Sequence, residues 1–138
     1  MSIDFNDSEI IKKFIAGSIG IIPTDTVYGI ACVATDETAV KRLYEIKQRF
    51  DKPGTIIAAD MTQLENLGIK RRYLTPVSYM WLNPISVVVP SEPMLSYLDL
   101  GKGSLAVRIP SDQQLFELLQ QTGPLLTTSA NLPGSPEA

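Results

Sequence analysis

Apolar and polar positions fall into short blocks along this chain, and the period of the pattern changes from block to block. Ile10, Ile11, Phe14 and Ile15 recur at helical spacing, which predicts a first helix with one buried stripe, capped by Asn6 or Asp7 and ended by Gly17. Glu9, three residues after Asn6, suits a capping box there. Residues 18–22 read as a strand, and after a polar interruption residues 30–34 read as a second. Thr35 or Asp36 caps a helix that buries Ala39, Val40, Leu43 and Ile46 and runs to about Lys47. Residues 55–59 form the next strand. Asp60 with Gln63 then caps a short helix ending near Gly68, and Pro76 fits the first turn of another helix that reaches Trp81.

The second half continues the same alternation. Residues 85–89 are an unbroken branched run between Pro84 and Pro90, the pattern of a strand buried on both faces. Residues 91–103 read as mostly loop. Residues 104–110 form a strand that sets Arg108 among apolar neighbours. Ser111 and Gln114 make a capping box for a helix buried through Leu115, Leu118 and Leu119, and Gly123-Pro124 stops it. Residues 125–128 are the last strand before a Ser-Ala-Asn loop. Strands and helices interleave throughout without repeats, low-complexity segments or a linker, so the expected class is α/β, one sheet flanked by helices.

Composition narrows the chemistry. A chain of 138 residues with 44% apolar content buries a real core as one domain. No apolar run approaches the roughly 20 residues that span a bilayer, and the start lacks a signal-peptide pattern, so a cytoplasmic protein without membrane contact is expected. There is no histidine, which removes Ser-His and Cys-His triads, imidazole acid-base catalysis and His-ligated zinc. The lone Cys32 excludes an internal disulfide, and its apolar neighbours favour a buried structural thiol over a nucleophile. Hydroxyls, carboxylates and fixed positive charge remain. With a net charge of −3, any nucleotide or RNA site must be a local basic patch.

The polar residues that interrupt this pattern gather in a few places. Around Gly20-Ile21-Ile22-Pro23-Thr24-Asp25-Thr26-Val27-Tyr28-Gly29, a branched strand is stopped by proline and delivers hydroxyls that either hold a small polar ligand or bond only to nearby backbone. Lys47, Arg49 and Lys52 follow a helix C-terminus. They complement the helix dipole, or they grip phosphate oxygens, arginine through its fork and lysine as a point charge. Arg108 either reaches solvent or a neighbouring carboxylate, or clamps a substrate carboxylate. Thr127-Thr128-Ser129-Ala130-Asn131 is either a turn bonding its own backbone or a phosphate and nucleotide contact. The ends of strands in open α/β sheets converge on one crevice. No Walker loop and no Gly-x-Gly-x-x-Gly follows a strand. Residue types alone therefore lead to an anion-binding α/β protein.

Four segments, in order and covering nearly the whole chain, resemble the YrdC-like family of threonylcarbamoyl-adenylate synthases. Residues 23–29 resemble its Pro-Thr-Glu-Thr-Val-Tyr-Gly signature, 43–49 its Lys-x-Arg segment, 104–110 its Ser-Leu-Ala-Val-Arg strand, and 128–134 its Thr-Ser-Ala-Asn-x-Ser-Gly loop. The resemblance implies a twisted, open, largely mixed sheet with a concave cleft, in one YrdC-like domain over residues 1–138 that lacks the C-terminal part of the family fold. It implies a nucleotidyltransferase joining L-threonine, bicarbonate and ATP, with Mg²⁺, into threonylcarbamoyl-AMP and pyrophosphate. Partner threonylcarbamoyl-transferase proteins then act on tRNA.

By the same resemblance, Thr26, Arg108 and the backbone near Thr127 hold L-threonine. Arg49, Lys52, Ser104 and Ser129 contact ATP, Lys47 and Asn131 support that site, and Lys47 and Arg49 are the catalytic cations. The chain departs from the family in several places. Phe50 replaces a proline, a histidine used by many members falls at about Ile57, and residues 81–86 alter a Trp-Pro-Gly-Pro-Leu-Thr segment. Two other readings stay open: an RNA-binding module of this fold without adenylation, and a carbamoyl-adenylating relative.

Overall fold

The computed structural model describes residues 8–23, 28–47, 53–82 and 85–129. Among the described residues, six strands form a single sheet in the order β1-β2-β6-β3-β5-β4. They are β1 (Gly20–Pro23), β2 (Tyr28–Val33), β3 (Thr55–Ile57), β4 (Val87–Pro90), β5 (Ser104–Arg108) and β6 (Leu125–Ser129). Of these ladders β3–β5 is parallel and the rest are antiparallel. The sheet is mixed, as expected.

Helices cover both faces. On one side lie α2 (Glu37–Lys47), α3 (Met61–Leu67), α4 (Arg71–Leu74) and α5 (Ser96–Asp99). Leu43, Leu64, Leu74 and Leu98 from these helices pack with Cys32, Ile56, Val107 and Leu126 of the strands. On the other side α1 (Ser8–Ile15) and α6 (Gln113–Thr122) bring Phe14, Leu115, Leu118 and Leu119 onto Ile22, Val33, Ile57 and Leu125. Burial of two apolar sheet faces by helical stripes is the main stabilising term.

Local chemistry sets the helix ends. Asp36 Oδ1 accepts the Ala39 amide at 3.0 Å, Asp60 Oδ1 that of Gln63 at 2.9 Å, and Asp112 Oδ1 that of Leu115 at 2.9 Å. Each carboxylate satisfies an orphan donor of the first turn and meets the positive end of the helix dipole. Gly17, at φ +96°, ends α1 where a Cβ would sit 2.9 Å from Asp36 Oδ2. Gln63 joins α3 to α6: its Oε1 accepts the Ala59 amide at 2.8 Å and its Nε2 donates to the Leu119 carbonyl at 2.8 Å.

Several expectations need correction. Asn6 and Asp7 lie outside the described residues. Ile15 and Ile46, placed in buried stripes, are exposed at 61% and 55%. Each lies one position, about 100° of helix rotation, from a residue of the true inner face, which in α2 is Ala39, Val40, Leu43, Tyr44 and Lys47. The cap of α6 is Asp112, not Ser111. The helix expected from Pro76 starts earlier, at Arg71, and continues as a 3₁₀ segment, Thr75–Leu82.

The run expected to be buried on both faces is instead an edge strand, β4. Val87 and Val89 face inward while Val88 is 67% exposed. A branched run without alternation is compatible with one buried face, because β-branching suits the pleat whatever lies above it. Residues 91–103 also hold more structure than a loop. A 3₁₀ turn, Pro93–Leu95, precedes α5. The buried Asp99 accepts the Ser91 hydroxyl at 2.6 Å and the Gly101 amide at 2.8 Å.

Candidate functional site

The ladders bring particular strand ends to one edge of the molecule. Pro23 pairs with Tyr28, Gly29 with Ser129, Thr55 with both Thr127 and Ala106, and Pro90 with Ser104. The C-terminal ends of β1, β4 and β6 therefore lie beside the N-terminal ends of β2, β3 and β5. Residues 24–27, 48–52 and 130–138 lie outside the described residues.

Residues directly opposite in a ladder project from the same face. Val88, Ala106, Thr55, Thr127 and Ala31 thus form one row across five strands. Arg108 projects from that face as well, two residues along β5 from Ala106, in a row with Ile57 and Leu125. Toward the edge, Ser104 continues the same face of β5, and Ser129 is in register with Gly29. The apolar half of this face is roofed by α1 and α6, and the Thr55–Thr127 half continues from it toward the loop-bearing edge.

The polar groups are held in place by burial and by backbone contacts. Thr127 Oγ1 donates to the Thr55 carbonyl at 3.1 Å, with Thr127 itself 8% exposed. Gly54 packs so tightly on β6 that a Cβ there would lie 2.5 Å from the Thr127 carbonyl oxygen. Arg108 is buried, with its Nε and Nη2 atoms sealed from solvent. Burial pushes the guanidinium's pKa down, yet a guanidinium keeps its proton at neutral pH. A fixed, dehydrated cation of this kind exerts a far stronger field on an anion than one in water.

Lys47 reaches the same edge from the opposite layer. It is 2% exposed at the C-terminus of α2, with Nζ sealed from solvent. Tyr44, one turn earlier, accepts the Gly54 amide at 3.1 Å, which joins the end of α2 to the start of β3. A depression of about 590 Å³ lined by Asp60, Arg71, Trp81 and Ser111 lies where β3 and β5 end, directly after Arg108 in sequence and at the opposite end of β5 from Ser104.

Comparison with known proteins agrees with this architecture. The Sua5/YciO/YrdC family model, described as "Telomere recombination", matches residues 12–138. The chain belongs to this family. It is 33% identical over 139 residues to the threonylcarbamoyl-AMP synthase of Stutzerimonas stutzeri, covering 98% of this chain and 75% of that one. The corresponding synthase of Vibrio vulnificus is 34% identical over 139 residues, with 96% and 75% covered. Among solved structures, P. abyssi Sua5 complexed with L-threonine superposes with a TM-score of 0.81 at 32% identity. That superposition covers 99% of this chain and 42% of the Sua5 chain, so the protein spans less than half of the length of Sua5.

Within the family frame, the site residues expected from sequence divide into groups. Ser104, Arg108 and Thr127 share one face of the sheet, and Lys47 stands at its edge. Ser129 is placed by its strand register. Thr26, Arg49, Lys52 and Asn131 lie outside the described residues. Ile57, near which the resemblance expects a histidine, is the ladder partner of Arg108 on β3, so an apolar side chain stands beside the arginine here.

Two polar contributors escaped the sequence reading. Thr55 had a visible signal, a hydroxyl opening an otherwise apolar strand after Pro53-Gly54. Tyr44 had none, because within an apolar stripe it is indistinguishable from a core aromatic.

Proposed function

We propose that the chain is the catalytic core of an L-threonylcarbamoyladenylate synthase. In this reading the amine of L-threonine takes up bicarbonate with loss of water to give a carbamate. A carbamate oxygen attacks the α-phosphorus of ATP, a new P–O bond forms, the bond to the β-phosphate bridging oxygen breaks, and pyrophosphate leaves. No side-chain nucleophile is needed; the protein supplies alignment and positive charge, which suits a chain without histidine.

One observation carries the proposal. Arg108, Thr127, Thr55 and Ser104 project from a single sheet face that runs to the edge where Lys47 ends its helix. Arg108 clamps the threonine carboxylate as a bidentate pair, with Thr26 and the Thr127 backbone completing the amino-acid pocket. Lys47, Arg49 and Lys52 grip the triphosphate, and Ser104, Ser129 and Asn131 contact the nucleotide. The similarity to named synthases and to a threonine-bound Sua5 supports the same substrate class.

Among the described residues no three His, Cys, Asp or Glu side chains gather as a metal cage. In this reading Mg²⁺ enters with the substrate triphosphate, its usual mode of binding. Also among the described residues, no helix is long and apolar enough to cross a membrane. Transfer of the product to tRNA belongs, in this reading, to partner proteins.

The test is release of pyrophosphate from ATP by the purified chain. Release that requires both L-threonine and bicarbonate is expected, and Lys47→Ala and Arg49→Ala should each slow it by about tenfold or more, as loss of a preorganised charge does. Release indifferent to threonine would sink the proposal.

A further inference from the structure

We infer that Tyr44 is a positioning residue for Lys47, the phosphate-gripping cation at the end of α2, an inference that rests on the adenylation reading above. The side chain is 3% exposed in the middle of the molecule. Its hydroxyl donates to the Leu98 carbonyl at 2.7 Å and accepts the Gly54 amide at 3.1 Å. One phenol thus binds three pieces of chain: its own helix α2, the end of α5, and the residue that leads into β3.

The position along the sequence gives this contact its meaning. Lys47 lies three residues after Tyr44, on the same buried face of α2. Gly54 immediately precedes β3. The hydroxyl therefore ties the last turn of α2, which carries Lys47, to the residue that opens β3. Such a tie removes conformational freedom from the end of the helix before any ligand arrives. Gly54 is also held from the other side, against the Thr127 carbonyl, so the tie runs from the Lys47 turn to the strand that carries Thr127.

Packing alone does not account for the residue. Phenylalanine would fill the same stripe and keep the helix. It would leave the buried Gly54 amide and Leu98 carbonyl without that partner, and buried backbone groups are costly when unsatisfied. Tyr97 provides a matched control: its hydroxyl donates to the Ala34 carbonyl at 2.8 Å, just past the opposite end of β2.

The experiment compares Tyr44→Phe with Tyr97→Phe in the whole chain, by amide hydrogen exchange and by separate equilibrium titrations with ATP and with L-threonine. In Tyr44→Phe, exchange at Gly54 should accelerate and ATP should bind about tenfold more weakly, the effect of one lost buried hydrogen bond on the competent conformation. Threonine affinity should stay within about twofold, and Tyr97→Phe should change neither Gly54 exchange nor ATP binding. Unaltered Gly54 exchange in Tyr44→Phe, or an equal loss of ATP affinity in Tyr97→Phe, would overturn the inference. A wild-type chain that binds no ATP counts against the adenylation reading itself, and Gly54 exchange then decides the anchoring role alone.

Discussion

Replacing Gly54 with alanine tests how tightly the floor of the site is built. The added Cβ would lie 2.5 Å from the Thr127 carbonyl oxygen and 3.0 Å from both Leu126 Cδ1 and Thr128 Cγ2, well inside the ~3.5 Å at which carbon contacts become attractive. The nearest atom is backbone, in the strand that pairs with both β2 and β3, so no rotamer change relieves it. Relief requires β3 and β6 to separate. Such overpacking costs about 1–3 kcal/mol. Gly54 is not in the left-handed region, so alanine also stiffens the unfolded chain and returns about 0.4–1 kcal/mol. The clash wins, with a net loss of about 1–2 kcal/mol. For a 138-residue chain, with unfolding entropy near ~2.1 cal/mol/K per residue, that lowers Tm by about 3–7 °C. Calorimetry of the purified variant measures it. A Gly54→Ala protein melting at or above the wild type would show that the Gly54–Thr127 approach is not the constraint argued here.

Three further outcomes follow from individual side chains. Arg108→Ala should raise the threonine requirement by about 10- to 100-fold, the loss of a charge-assisted bidentate pair, and the ATP requirement far less; an equal rise in both contradicts the carboxylate clamp. Cys32 is buried, and its thiol is pushed from 9.0 up to about 12, first by desolvation and then by Asp36. Above pH 9 the unfolded chain releases this proton while the folded chain keeps it, so stability falls as pH rises through the window from 9 to about 12. Urea titrations at pH 8 and pH 10.5 should therefore show Cys32→Ala losing less stability than wild type, by about 2 kcal/mol at most, whereas parallel losses would refute the assignment. On β4, Val88→Thr should shift stability by no more than about 0.5 kcal/mol, while Val89→Ala, at 2% exposure, should cost about 2 kcal/mol; similar costs at both positions would mean that both faces of β4 are covered.

The alternation of strand and helix was legible in the sequence because each element carries its own local signal. Asp36, Asp60 and Gly123 mark helix ends by side-chain and backbone chemistry that acts over three or four residues. What stayed hidden is what non-local pairing decides. Residues 85–89 look the same whether one face of the strand is covered or both, and Val88 is exposed because little among the described residues packs over its face of β4. Ile46 and Lys47 show the same limit. Hydropathy puts the isoleucine inside, but the helix's contact face is set by what packs against it, and that face buries the lysine.

That inversion bears on function. Burying a lysine next to an exposed isoleucine opposes the ordinary drive to leave charge in water, so the fold accepts a cost at the end of α2 that an apolar side chain in the same place would avoid. Arg108 repeats the pattern on β5, a charge buried between Val107 and Ile109 in sequence and level with Ile57 in the sheet. Local rules fail most often where a site is built. Here two of the failures are cations, one on a strand and one at a helix end, near a hydroxyl row and away from the surface pairs Lys70–Glu92 and Arg71–Glu65. In the proposed reaction, Arg108 faces the carboxylate of threonine and Lys47 the triphosphate. A carboxylate and a phosphate chain are the pair that an adenylating enzyme has to bring together.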